Sequence, residues 1–193
     1  ATTPVRPEVV EAMTAILRAQ QGNPSSVYEE GAAARARVEA ARAQIAGLLG
    51  ATASEIRLTG GATEANNTLL FGLLGPDDHV VTTTIEHPSI SAPLELLESR
   101  GVRVTRIAPD RDGCVSSDAV LAAIMPDTRL VSVIWANNET GSIQPIEAIA
   151  AGCRERRVLV HSDATQAVGK WVIDLAAVPL DLLSTSAHKL GGP

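Results

Sequence analysis

The sequence predicts an α/β domain, a three-layer sandwich around a mostly parallel sheet. Three observations point there. From residue 55 onward, short β-branched or apolar runs alternate with stretches at helical spacing. At 193 residues, with 45% hydrophobic and 20% charged, the chain is long enough for one sizeable core. Aromatic residues make up only 2%, so that core must be filled by Ala, Val, Leu and Ile.

The elements follow in order. Pro7, then Val9, Val10, Met13, Ile16 and Leu17, give the proline start and three-to-four spacing of an amphipathic helix, which GNPSS interrupts. The Ala-rich segment 27–49 reads as a long helix closed by Gly50, with Val38, Ile45, Leu48 and Leu49 on one face and Arg35, Glu39 and Arg42 on a solvated one. EIRLT (55–59) reads as a short strand and GGATEANNTLLFGLL (60–74) as a glycine turn entering a helix. Strands are then expected at VVTTTI (80–85), VRVTRI (102–107), RLVSVIWA (129–136), VLVHSD (158–163) and DLLSTS (181–186). Helices are expected between them at APLELLESR (92–100), SSDAVLAAIM (116–125) and IEAIAAGCRERR (146–157). No repeat or low-complexity tract breaks this pattern.

Composition excludes several classes. A net charge of -6, with no basic run longer than Arg156-Arg157, leaves no footprint for a nucleic acid. The scarcity of aromatics argues against stacking platforms for single strands. No stretch reaches the roughly 18 apolar residues of a membrane span, so no membrane partner is expected. The two cysteines, Cys114 and Cys153, lack metal-ligand spacing and the density of a secreted disulfide scaffold, which points to a reducing, cytoplasmic setting and to no metal.

In parallel sheets, ligands bind outside the carboxyl ends of the strands, where the following loops gather. EIRLT is followed by Gly60, Gly61, Ala62 and Thr63, VVTTTI by Glu86 and His87, and RLVSVIWA by Asn137, Asn138 and Glu139. VLVHS leads to Asp163, and DLLSTS to His188 and Lys189. Each has an ordinary reading alone. GGAT and Asp163 cap helices, His87 before Pro88 sits in a turn, the asparagines tolerate a left-handed turn, and Lys189 is solvated. Together they bring an anion-binding turn, an imidazole, an amide pair, a carboxylate and an amine to one rim. A phosphate, a flat ring with a basic nitrogen and an aldehyde would engage that set, which is the chemistry of pyridoxal 5′-phosphate. A dinucleotide-binding domain would share the sheet, but GGATEA lacks its three-glycine spacing and no GxxxxGK loop is present.

The motifs ATTPV, GNPSS, GATEANN, IEHPSI, ANNETGSIQPI, HSDATQAVGK and SAHKLGGP stand in this order along essentially the whole chain. In them it resembles the pyridoxal-phosphate-dependent cysteine desulfurases of the nitrogen-fixation and iron–sulfur-assembly type, within the class V aminotransferase fold. The resemblance implies a fold type I large domain. It makes Lys189 the Schiff-base lysine, Asp163 the partner of the ring nitrogen, and His87 the imidazole stacked on the ring and active in proton transfer. Ala62 and Thr63 match the phosphate-binding turn, with Ser186 and His188 adding phosphate contacts. Gln166 matches the partner of the phenolic oxygen, and Asn138 the amide near ring and substrate.

The reaction so implied takes sulfur from L-cysteine, giving L-alanine and a persulfide on an enzyme cysteine. Homodimerisation, an iron–sulfur scaffold protein and other sulfur acceptors are implied with it. In the family the nucleophilic cysteine and the arginine that grips the substrate carboxylate follow the lysine motif, and neither Cys114 nor Cys153 matches. Residues 1–193 are therefore expected to be the cofactor-binding large domain, clipped of a strand before ATTP and of the small domain after Pro193. A selenocysteine lyase, a kynureninase-like enzyme or an aminotransferase of the same fold would keep the cofactor and change the chemistry. A catalytically silent binding or dimerisation module would keep the fold alone.

Overall fold

β-Branched runs become strands wherever a parallel neighbour can pair with them. In the structure, a computed structural model, residues 3–19 and 22–193 are described; Ala1 and Thr2 of the ATTPV motif lie outside the described residues. These residues form two compact units, one made of the chain up to Leu58 with Ile173–Ala176 and Ala187–Pro193, the other of Thr59–Val172 with Ala177–Ser186.

The larger unit holds a five-stranded parallel sheet: β1 (His79–Thr83), β2 (Arg103–Ile107), β3 (Thr128–Ser132), β4 (Leu159–Asp163) and β5 (Leu182–Ser184), in the order β2-β1-β3-β4-β5. Helix α3 (Ala62–Leu73) precedes it, and α4 (Pro88–Glu98), α5 (Ser117–Ala122) and α6 (Ile146–Arg156) connect its strands; α1 and α2 belong to the smaller unit. The chain steps outward from β1 to β2, then reverses through β3, β4 and β5. Crossovers of one hand therefore lay α4 on one face of the sheet and α5 and α6 on the other, giving three layers. In keeping with this, α3 packs on α4 and α5 on α6. The reversal puts a crevice between the carboxyl ends of β1 and β3, the place where such sheets bind ligands.

Leu70, Leu74, Val80, Ile90, Leu94, Leu97, Val102 and Leu130 form a core cluster of this unit. At the amino end of the sheet, fully buried His79 satisfies both ring nitrogens, 2.7 Å from Thr128 Oγ1 and 2.9 Å from Thr105 Oγ1, and so ties three strands together.

The smaller unit contains α1 (Pro7–Arg18), with Pro7 at its first position, and α2 (Glu29–Leu49), closed by Gly50 at φ 69°. Three expectations are corrected here. Leu48 is 58% exposed, and the inner face of α2 carries Ala46 and Leu49. The α2 arginines brace the backbone as well: Arg35 donates to the carbonyls of Pro24 and Ser26 within the GNPSS loop, and Arg42 to that of Ile56. EIRLT is also not a strand. Thr52 and Glu55 form a capping box around a 3-10 turn over Ala53–Glu55, with Thr52 N donating to Glu55 Oε2 at 2.7 Å, and residues 56–59 continue without ladder pairing. Alternation alone does not make a strand when no partner lies alongside, and Leu58 is 52% exposed.

Candidate active site

Gly61 caps α3 without any side-chain hydrogen bond, at φ 140° and ψ 178°, a conformation only glycine adopts readily. A helix start left open in this way aims the first backbone N–H groups, those of Ala62 and Thr63, at any anion in front of them. A Cβ built on Gly61 would lie 3.5 Å from Ser186 Oγ, so buried Ser186 faces the same turn. Thr63 shares a groove of about 560 Å³ with His87, Asn67, Phe71 and Pro88.

His87 is the N-cap of α4. Its Nδ1 accepts from Ser89 N at 3.1 Å and lies 2.8 Å from Ser89 Oγ, while the rest of the ring is exposed. Asp163 is the last residue of β4, paired across to Ser184 of β5, and is buried. Its Oδ2 accepts from Asn66 Nδ2 at 2.9 Å and its Oδ1 from Thr165 N at 3.0 Å. The same Asn66 nitrogen is 2.9 Å from Ser89 Oγ, and Asn66 Oδ1 accepts from Ser184 Oγ. Ser184 Oγ in turn lies 3.1 Å from His161 Nε2, and His161 Nδ1 lies 2.9 Å from Ser132 Oγ. Burial holds His161 well below its ordinary value of 6.5, against the opposing pull of Asp163, which keeps the ring neutral.

Glu86 sits at the crevice. Its Oε1 accepts from Thr83 Oγ1 at 2.7 Å and from Ile134 N at 2.9 Å, stitching the end of β1 to the chain beyond β3; its Oε2 is buried with no hydrogen-bond partner. Burial first, then the nearby Asp163 charge, push its carboxyl up to about 8.

The ANNETG loop owes its shape to Asn137, whose Oδ1 accepts from Glu139 N and Thr140 N at 2.9 Å each and whose Nδ2 donates to Ile85 O. Neither asparagine takes a left-handed conformation; the loop uses Gly141 at φ 77° for that. Asn138 is exposed and lines a cavity of about 410 Å³ together with Gln166, whose Oε1 accepts from Lys170 Nζ at 2.8 Å.

His188 and Lys189 belong to the smaller unit, in the 3-10 turn Ala187–Lys189, and both are half-buried. There the His188 carbonyl accepts from Thr3 N at 2.9 Å, and Gly191 O accepts from Arg6 N at 2.9 Å. Cys153 is fully buried on α6, where burial pushes its thiol up to about 11, so it packs as a small apolar side chain. Cys114 lies 3.5 Å from the Ile143 carbonyl. Among the described residues, no group of three His, Cys, Asp or Glu side chains is placed to hold a metal ion, and no helix is long and apolar enough to cross a membrane.

Of the residues singled out in the sequence, the larger unit gathers Ala62, Thr63 and Ser186 at one turn, Thr63 and His87 in one groove, and Asn138 and Gln166 in one cavity. Asn66, Ser89, Ser184 and His161 were missed. For His161 and Ser184 the signal was polarity in the wrong place: strands buried on both faces of a parallel sheet are expected to be apolar, and Ser132, His161 and Ser184 are not.

Comparison with known proteins agrees with this geometry. The aminotransferase class-V family matches residues 1–193. A cysteine desulfurase of Enterobacter agglomerans is 44% identical over the whole chain and 49% of its own length, and the cysteine desulfurase IscS of Methanosarcina thermophila is 42% identical with the same coverage. A solved structure described as SspA in complex with cysteine superposes with a TM-score of 0.95 at 38% identity, covering all of this chain and 56% of that one. A NifS-like protein gives 0.92 at 35% identity, with 54% of its chain covered. The chain thus spans about half the length of the curated relatives it matches. Residues, sheet order and relatives converge: the chain belongs to the class-V aminotransferases, the pyridoxal-phosphate-dependent family that includes the cysteine desulfurases.

Proposed function

We propose that this chain is the cofactor-binding part of a cysteine desulfurase, which takes sulfur from L-cysteine and releases L-alanine. The observation that supports it most is the conjunction at one sheet edge of an uncapped glycine-led helix start facing Ser186 Oγ and a buried carboxylate held by Asn66 and Thr165. That donor and acceptor set fits pyridoxal phosphate: an anion cradle for the phosphate and an anionic oxygen for a ring N–H.

When bound, the cofactor supplies an aldehyde that bonds amines and a ring that withdraws electrons from the substrate α-carbon. The N–H groups of Ala62 and Thr63, with Ser186 and His188, would hold its phosphate. Asp163 would keep a proton on the ring nitrogen. His87 would lie against the ring and move a proton at Nε2, the nitrogen that Ser89 leaves free. Gln166 would hold the phenolic oxygen, and Asn138 would border ring and substrate. Lys189 would be the amine that holds the aldehyde, and its Nζ would be the group placed to carry protons.

A cysteine thiolate outside this chain's Cys114 and Cys153 attacks the substrate sulfur, forming an S–S bond and breaking C–S. The released electron pair stays with the carbon skeleton, which is protonated to alanine. The sulfur acceptors would be an iron–sulfur scaffold protein and others like it, and the working form a homodimer in the cytoplasm.

The purified protein should gain a visible absorption band with pyridoxal phosphate, fixed by borohydride to Lys189. A borohydride-stable adduct persisting in Lys189→Ala would remove Lys189 from that role.

A further inference from the structure

Every link around Asn66 has an assignable direction, because an amide nitrogen only donates and an amide oxygen only accepts. The opposite amide orientation would set Oδ1 against the Asp163 carboxylate. With Nδ2 donating to Asp163 Oδ2 and Ser89 Oγ, the Ser89 hydroxyl is left to donate its own proton to His87 Nδ1, alongside Ser89 N. On the other side, Oδ1 takes the Ser184 hydroxyl proton, so Ser184 Oγ accepts from His161 Nε2, and His161 Nδ1 accepts from Ser132. Both hydrogens of the Asn66 amide and its oxygen are used, and Asn66 is fully buried.

Building on the cofactor-site reading above, we propose that Asn66 is a positioning residue for the site's polar groups: it donates to Asp163 Oδ2 and, by turning the Ser89 hydroxyl toward His87 Nδ1, adds a second donor beside Ser89 N that reinforces the Nε2–H tautomer of His87. Asn66 stands one helical turn beyond Ala62 and Thr63 on α3, so the helix that presents the anion-binding N–H groups also carries this amide. Phosphate turn, ring-nitrogen partner and imidazole are thereby held by one element. His87 is an exposed residue whose Nδ1 already accepts from Ser89 N, and the Ser89 hydroxyl adds a second donor to the same nitrogen.

The test reads the tautomer directly, in the chain without cofactor, from the two ring ¹⁵N shifts of His87. Wild type should show them widely separated, with the proton on Nε2. Ser89→Ala and Asn66→Ala should both narrow that separation, because Ser89 N is then the one ordered donor left to Nδ1 and the Nδ1–H form gains population. Ser89→Ala removes only one hydroxyl from the network, so it carries the test should Asn66→Ala fail to fold. Unchanged His87 shifts in Ser89→Ala, or a wild type protonated on Nδ1, would overturn the proposal.

Titration with pyridoxal phosphate separates the two branches. Asn66→Ala should weaken binding about tenfold or more, whereas Ser89→Ala, which spares the Asp163 contact, should change it far less. Equal loss in both variants would count against the Asp163 branch. A wild type that shows the tautomer pattern yet binds no pyridoxal phosphate would sink the cofactor reading and leave the role of Asn66 standing.

Discussion

Asp163 accepts from two buried donors, Asn66 Nδ2 and Thr165 N, so truncating it leaves both without a partner. Asp163→Ala should therefore cost about 1–3 kcal/mol of unfolding free energy in a denaturant titration and should also weaken pyridoxal phosphate binding. Unchanged values in both would separate this carboxylate from fold and cofactor alike. Asp163 and His87 were legible in the sequence because residues at and just after the ends of strands in a parallel sheet gather at one edge whatever the details of packing, whereas Thr63 was legible from the glycine turn that opens α3, EIRLT before it being no strand. Asn66 was not. Its partners Asp163 and Ser184 lie 97 and 118 residues away, and an asparagine in the middle of a helix announces nothing until distant segments close over it. Glu86 stood at a strand end in plain view, but its bond to Ile134 N depends on the reversal in strand order, which no local pattern encodes.

At the scale of elements, glycine and proline punctuation carried over well. Pro7 and Pro88 open α1 and α4, and Gly50 closes α2. The failure was EIRLT, whose period-two pattern is that of a strand but which has no neighbour to pair with. Gly61 and Leu94 test two elements. Gly61→Ala forces a Cβ into a backbone region that disfavours it, at a cost of about 1–3 kcal/mol, and should lower pyridoxal phosphate affinity because the turn must shift. Leu94 on α4 is fully buried in the core cluster, so Leu94→Ala should lower stability by about 2–5 kcal/mol while leaving the His87 tautomer as it is. Denaturant midpoints check both.

For the molecule as a whole, Glu86 gives stability a pH dependence. Its carboxyl titrates near 8 in the folded chain against an ordinary 4.5, so between those values the folded state keeps a proton that the unfolded state releases. Stability from this group is full below about 4.5 and declines as pH rises toward about 8, by roughly 1.4 kcal/mol per pH unit. His161 acts in the other direction, its contribution being lost as pH falls below 6.5, so the difference between wild type and Glu86→Gln isolates the glutamate. Glutamine keeps an oxygen for Thr83 and Ile134 and has no proton to lose. That difference should favour the variant increasingly above about pH 5, and urea midpoints independent of pH would refute it. The all-parallel sheet has a last consequence. With parallel pairing throughout its five strands, β1 meets β3 only after α4, β2 and α5 have been made, and Ser184 comes from β5, later in the chain still. In a nascent chain the polar cluster around Asn66 therefore gains its Ser184 contact late, once translation has delivered β5.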